Sequence, residues 1–357
     1  AALADAYVKG IRNFDAAKAY EGMRLNAFST PYLAKDYRDG KGRRAIRSYM
    51  DNGYIPLEDM VEEAFHTNEQ TSRTLEYAYD DYAVAQMAKA LHDSCQDATL
   101  RQKYLEDYND LMRRSENWRN VINSATGWAD GRYENGKWEN NEDLVHRKSY
   151  ITEGATCHYT WYVPQNPEGL FEVIRNSKPM DKQEKQIEKM ERKMEKKGET
   201  PVRNEKVIAR LDKMFDNGWY WHGNEPCHQV AYLYDAAGAP EKTQERVHHI
   251  LQTEYNDTPG GLSGNDDAGQ MSAWYVFSSI GFYPVCPGTP YYYIGTPSFD
   301  KVTLNLENGR KFILSADRQH MDDYLIQSVT LNGKPWGDYR LSHQQILTGG
   351  ELHFQMK

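Results

Sequence analysis

The chain has 357 residues, 27% charged and 39% hydrophobic, long and apolar enough to bury a large core without disulfide or metal staples. Its net charge of −9 argues against a broad nucleic-acid-binding or anionic-membrane-binding face, both of which need a basic surface. No stretch reaches the roughly 18 uninterrupted apolar residues of a membrane span. Cys95, Cys157, Cys227 and Cys286 stand too far apart for a CxxC zinc or redox motif, and their spacing leaves pairing open.

In chain order, residues 3–12 and 15–24 are short amphipathic helix candidates, and 43–50 is a third that Asn52-Gly53 should stop. Residues 72–91 form the clearest helix. Ser72 is placed to N-cap it, and Leu75, Tyr79, Tyr82, Gln86 and Met87 follow at helical spacing. Residues 100–118 put Leu105, Tyr108, Leu111 and Met112 on one face. The stretch 119–165 is rich in Gly, Asn and Trp without a helical period, and a loop of that length in a compact domain is usually functional. Further helices are predicted over 168–176, 204–215, 227–236, 241–253 and 268–280.

Segment 181–199 (DKQEKQIEKMERKMEKKGE) reads as a solvated helical insertion with a thin stripe of Ile187, Met190 and Met194. In the last 60 or so residues the period changes to two, in KVTLNL, KFILSA, IQSVTLNG and ELHFQM, and Asn332-Gly333 predicts a type I′ turn. The reading is a mainly α chain of helical hairpins suited to a toroid over 1–295, followed by an antiparallel β segment over 296–357.

Three loops concentrate chemistry. The first joins Glu153-Gly154 to an aromatic run containing Tyr159, Trp161 and Tyr162, where a carboxyl held near apolar rings would become a proton donor. The second carries His222, Asn224, Glu225, His228 and Gln229 after three aromatics. Its carboxylate and amide oxygens suit calcium better than zinc, and His222 and His228 are candidate contacts for a ligand hydroxyl. N-capping by Asn224 with Pro226 near the first helical position is the plainer explanation of that loop. The third, glycine-rich, places Asp266 and Asp267 at a helix mouth whose dipole keeps at least one ionised, as a general base requires. An acid, a base and aromatic walls are the parts of a glycoside hydrolase, and 26 Tyr and 8 Trp suit a sugar ligand.

These segments carry a resemblance. GYIP, TLEYAYDDYAVAQMAK, ITEG with YTWYVP, HGNEP with HQVAYLYDAAGAP, GNDDAGQMSAWYVFSSIGFYPVCPGTPYYYIGTPSFDKV, IQSVTLNGKPW and TGGELHFQM, in this order, are similar to glycoside hydrolase family 92, the calcium-dependent exo-acting α-mannosidases. The resemblance implies an (α/α)6 toroid, incomplete in this chain, with β-sandwich material, and an inverting mechanism. It implies Glu153 as general acid and Asp267, with Asp266 beside it, as the pair supplying the general base. His222, Asn224, Glu225 and Trp161 are the expected substrate contacts, and Glu225, Asn224 and Gln229 the expected Ca2+ ligands.

The implied partners are a mannose-containing glycan and an N-terminal β-sandwich domain of the same protein that this sequence does not include. The implied location is extracytoplasmic, periplasmic or secreted. No nucleic-acid partner and no transmembrane segment are expected. Absence of an initiator Met and of a signal-peptide pattern makes the expected product mature or truncated. The charged 181–199 segment and the stretch Ala155-Thr156-Cys157-His158 depart from the family pattern. Two other readings are a helical-toroid glycosidase acting on other α-glycosides and a non-catalytic sugar-binding fragment.

Overall fold

The computed structural model describes residues 1–29, 42–60, 68–200 and 204–357. The chain resolves into two compact units: Ala1–Gln186 with Pro287–Thr289, and Ile187–Cys286 with Pro290–Lys357. The expected boundary at 295/296 falls within the second unit, between strands of one sheet and the next.

The first unit is helical: α1 (Ala2–Val8), α2 (Ala16–Phe28), α3 (Ile46–Asn52), α4 (Gln70–Ser94) and α5 (Ala98–Arg114). Asp15 and Asp97 cap α2 and α5 by accepting from the amides of Lys18 and Leu100. Ala83, Val84, Met87, Ala88 and Leu91 of α4 pack with Ala4 and Tyr7 of α1, Tyr20 and Ala27 of α2, and Tyr104 and Leu111 of α5. Asp81 on α4 is fully buried and paired twice over. Arg43 reaches it at 2.6 Å, Arg114 at 2.9 Å, and the Tyr49 hydroxyl adds a third bond. A buried carboxylate is tolerated only with partners of this kind.

Helix α4 starts two residues before the expected cap. Ser72 lies inside it, and the helix begins after Glu69, which has a left-handed φ of 75° and no side-chain cap. The free amides of the first turn are met instead by another segment: Thr71 and Ser72 both donate to the Tyr150 carbonyl. The segment predicted to lack helical period is largely irregular. It holds a small hairpin, β1 (Ile122–Asn123) and β2 (Trp128–Ala129), and a single helical turn, α6 (Thr156–Tyr159). The Asp130 carboxylate organises it, accepting from Asn123 Nδ2 and from the amides of Gly131, Asn140 and Asn141. Two further helices follow, α7 (Pro167–Asn176) and the charged α8 (Lys182–Lys196). Most of α8 is exposed, as expected, but Glu184 is buried and accepts from the Met180 amide.

The second unit contains α9 (Glu205–Asp216), α10 (Leu233–Ala237), α11 (Pro240–Thr253) and α12 (Gln270–Ile280). The continuous helix expected over 227–236 is replaced by two 3-10 turns, Glu225–Cys227 and Val230–Tyr232, before α10. Side chains take the carbonyls a helix would need. Gln229 Nε2 donates to Pro226 O, and Trp274 Nε1 donates to His228 O, the acceptors for the amides of residues 230 and 232.

The β part has two sheets. One is β3 (Phe282–Tyr283), β4 (Tyr291–Ile294) and β9 (Arg340–Ser342) in that order. The other runs β5 (Lys301–Asn305), β6 (Lys311–Asp317), β10 (Gly350–Met356), β7 (Ile326–Leu331), β8 (Lys334–Pro335). Every strand pair is antiparallel except β6–β10, which is parallel and reached through the short helix α13 (His343–Thr348). Phe312 and Leu314 of β6, Leu352 and Phe354 of β10, Tyr292 and Ile294 of β4 and Leu341 of β9 share one core, so the two inner faces pack as a sandwich. Asn332 and Gly333, at φ 53° and 75°, form the expected two-residue turn between β7 and β8. All four cysteines are free thiols.

The Asp235 carboxylate of α10 is buried with no hydrogen-bond partner on either oxygen, and that burial pushes its pKa well above the usual range. The folded state therefore holds a proton that the unfolded state releases above about pH 4. Stability contributed by this group is present at low pH and is lost as pH rises toward the raised folded value. Asp235→Asn, which has no charge to bury, is expected to gain on the order of 1–3 kcal/mol relative to wild type under alkaline conditions. Urea unfolding of both proteins across the pH range checks this. An unchanged difference between them at every pH would refute it.

Candidate active site

In the first unit, the 150–162 segment is tied to α4. Thr152 N donates to Ser72 Oγ at 2.9 Å, and the Ala155 amide donates to His158 Nδ1. Glu153 sits at the bend with φ 49° and is exposed, not sunk among rings. A non-glycine residue in the left-handed region costs roughly 1–2 kcal/mol and persists where its surroundings demand it. Trp161, expected at the sugar, is fully buried and stands edge-on to Trp128 at 6.2 Å. Its bulk fills the core of this unit instead of forming a ligand wall.

In the second unit the other two loops meet. A Cβ on Gly264 would lie 2.2 Å from Gly223 O, and one on Gly223 would lie 2.6 Å from Ser263 O. Backbone packs directly on backbone here, which only glycine allows. This contact joins the segment carrying Asn224, Glu225 and Gln229 to the one carrying Asp266 and Asp267.

Beneath them lies a hydrogen-bonded aromatic floor that the sequence reading largely missed. His228 Nε2 is 3.0 Å from His222 O, a bond in which the ring nitrogen donates. His228 Nδ1 then accepts from Gln270 Nε2, which also donates to Tyr283 Oη. Tyr255 Oη donates to Met271 O, so it accepts from His222 Nε2 at 2.6 Å, and His222 Nδ1 accepts from Tyr220 Oη at 2.7 Å. Each ring thus carries one proton. Burial agrees, lowering His222 to about 3, with His228 adding to the effect, and His228 to about 4. His222 is 1% exposed with both nitrogens engaged, so it supports the floor and does not reach a ligand hydroxyl. Trp221 beside it is 43% exposed, an aromatic face open to solvent next to the Asn224–Glu225 step. Its signal in the sequence was its place as the last of the three aromatics that precede that step.

The adjacent aspartates separate. Asp266 Oδ1 accepts from the Ser272 amide at 2.9 Å and its carbonyl accepts from Met271, so Asp266 caps α12. Asp267, Ala268 and Gly269 follow at φ 41°, 57° and 90°, a left-handed run that leaves the Asp267 carboxylate exposed. Both aspartates are exposed, but one Asp266 oxygen is committed to the Ser272 amide, whereas the Asp267 carboxylate is left open to a bound molecule.

Asn224 does not cap the 3-10 turn it precedes, which removes the plainer explanation of that residue. Gln229 Nε2 is held by Pro226 O, which turns the amide oxygen the other way. One carboxylate and two amide oxygens match the hard donors calcium takes, as a partial set of the six to eight it needs. No group of three or more His, Cys, Asp or Glu suited to a metal occurs among the described residues.

The catalytic-domain model of glycosyl hydrolase family 92 matches residues 1–357, and the chain belongs to that family. A solved family GH92 α-mannosidase from Bacteroides thetaiotaomicron is 34% identical, with a TM-score of 0.79 over 99% of this chain and 41% of its own. A solved inverting family GH92 mannosidase from the same bacterium is 32% identical, with a TM-score of 0.80 over 99% and 45%. An uncharacterized secreted glycosidase of Arthroderma benhamiae is 30% identical over 99% of this chain and 44% of its own. The chain spans less than half the length of these relatives. Its fold class is that of the family: mainly α, with helices of an (α/α)6 toroid and a C-terminal β segment. Among the described residues no helix is long and apolar enough to cross a membrane.

Proposed function

We propose that the whole protein removes terminal α-linked mannose from glycans by inverting hydrolysis, with Asp267 as general base and Glu153 as general acid. The observation that carries this reading is the division of labour between the aspartates: Asp266 is spent on the helix cap, and Asp267 is presented to solvent on a strained loop. Family membership and similarity to proteins described as α-mannosidases, one solved with mannoimidazole and one described as inverting, supply the substrate class and the stereochemistry. In this reading Asp267 takes a proton from the attacking water, and Glu153 delivers one to the leaving oxygen. Trp221 offers its exposed face to the sugar.

Asn224, Glu225 and Gln229 would hold calcium, which would grip vicinal sugar hydroxyls and favour a flattened ring. The floor of neutral His222 and His228 adds no competing positive charge beneath those donors. In this reading the protein acts outside the cytoplasm, which the similarity to a relative described as a secreted glycosidase supports.

The test uses the full-length protein on a panel of aryl glycosides, with the first-formed anomer followed by NMR. Release of β-mannose from an α-mannoside is expected. Chelation should lower the rate roughly a hundredfold or more, and added calcium should restore it. Preference for an α-glucoside would overturn the substrate assignment. A rate indifferent to exhaustive chelation would overturn the metal.

A further inference from the structure

Gln270 is the first residue of α12, and it joins the two chemistry-bearing loops of the second unit. Its backbone amide donates to Asp267 O at 3.3 Å, in the turn that carries the exposed carboxylate. Its side chain crosses to His228, whose own amide donates to Glu225 O. Gln270 Nε2 lies 3.3 Å from His228 Nδ1 and 2.9 Å from Tyr283 Oη. These contacts fix which way the amide faces. His222 O can only accept, so His228 Nε2 carries the ring proton, and Nδ1 of that neutral ring offers a lone pair. Only the NH2 end of Gln270 can meet a lone pair, and its two hydrogens serve His228 and Tyr283, one each. The carbonyl oxygen is thereby turned off the aromatic floor. Among the described residues no protein group donates to Gln270 Oε1, and in this half-buried residue that oxygen is not sealed from solvent.

We propose that Gln270 is a substrate-binding residue whose carbonyl oxygen accepts a hydrogen bond from one hydroxyl of the terminal sugar held beside Asp267. The assignment rests on the mannosidase reading for the identity of that sugar. A sugar hydroxyl suits this group, which is a neutral acceptor with no competing donor in the protein. Both N–H bonds of the amide are made before a ligand arrives, so binding costs little further ordering of this side chain. A sugar without the matching hydroxyl would cover the carbonyl and leave it without a donor. The contact therefore discriminates among hexoses by where a hydroxyl stands on the ring.

The experiment compares wild type, Gln270→Met and Tyr283→Phe in the full-length protein. Each is given an aryl α-mannoside and the monodeoxy analogues that lack one hydroxyl at a time. Wild type should lose about tenfold or more in kcat/KM on the analogue without the contacted hydroxyl. Gln270→Met keeps the side-chain length and deletes both amide functions. It should lose a comparable factor on the parent mannoside and then be indifferent, within about twofold, to removal of that one hydroxyl. Its penalties for the other hydroxyls should match wild type. Tyr283→Phe loosens the amide without deleting the carbonyl, and should keep the wild-type pattern across the analogues. Thermal unfolding without substrate checks that the variants are folded, and Gln270→Ala gives a second deletion read in the same way. Wild-type penalties for every hydroxyl in the Gln270 variants would overturn the proposal. So would an equal relaxation at all of them, which marks a residue that only positions its neighbours. A wild type that cleaves α-glucosides and no α-mannoside would overturn the mannosidase reading, and the deoxyglucoside series would then decide the Gln270 contact. A wild type that cleaves neither would overturn both.

Discussion

Asp267→Asn should lower kcat on α-mannosides by about 10²–10⁴-fold, the usual contribution of a general base, with little change in stability. The substitution is clean for two reasons. Asparagine, like aspartate, is enriched in the left-handed region, so the φ of 41° is no new obstacle. The Asp267 side chain also has no capping bond to lose, because Asp266 caps α12. Asp266→Asn is the matched control, since an amide oxygen still accepts from the Ser272 amide. It should stay within a few-fold of wild type in kcat, whereas Asp266→Ala should cost about 1 kcal/mol of stability by deleting the cap. Steady-state kinetics beside thermal unfolding of the three variants would check the assignment. A severe kcat loss in Asp266→Asn with a mild one in Asp267→Asn would transfer the base to Asp266.

Gly264→Ala should be among the most damaging single methyl additions in the second unit. Its Cβ would meet Gly223 O at 2.2 Å, Gly223 Cα at 2.6 Å and Gly223 C at 2.7 Å. All three are backbone atoms, so no rotamer change relieves the clash, and the two loops must part. Overpacking of this kind costs about 1–3 kcal/mol or more. Parting the loops also moves Asp267 away from Asn224 and Glu225, so activity should fall beyond what stability alone explains. Gly260→Ala in the same loop is the control: open space surrounds its Cβ position, and it should be nearly neutral. Chemical unfolding of the two variants decides the matter, and indistinguishable midpoints would refute the close-approach argument.

The same contrast shows how far the residues alone could be read. Helices α2, α5, α7, α9, α11 and α12 were legible to within a few residues, because caps such as Asp15 and apolar spacing are local signals. The start of α4 was not. Its first-turn amides are satisfied by Tyr150, 79 residues from Thr71, and no capping pattern near Ser72 encodes that. The 227–236 stretch has a helical pattern yet folds as broken turns, because Gln229 and Trp274 claim the carbonyls a helix would use. In the β region, alternation located the strands and Asn332-Gly333 the turn. The parallel pairing of β6 with β10 depends on which distant edges meet, and alternation is silent on that.

By itself the sequence determined the family, the order of mainly α then β structure, and the three loops in which carboxylates and amides gather. These follow from local composition and spacing, which survive in any conformation of the chain. Tertiary structure alone decided which of those residues reach solvent. Trp161 and His222 went into the interior, where large rings gain most from burial, while Trp221 stayed exposed. Asp266 and Asp267 both stayed at the surface, but one oxygen of Asp266 was taken by the first turn of α12 and the left-handed run freed Asp267. Exposure and protonation depend on neighbours distant in sequence, and the fold sets both.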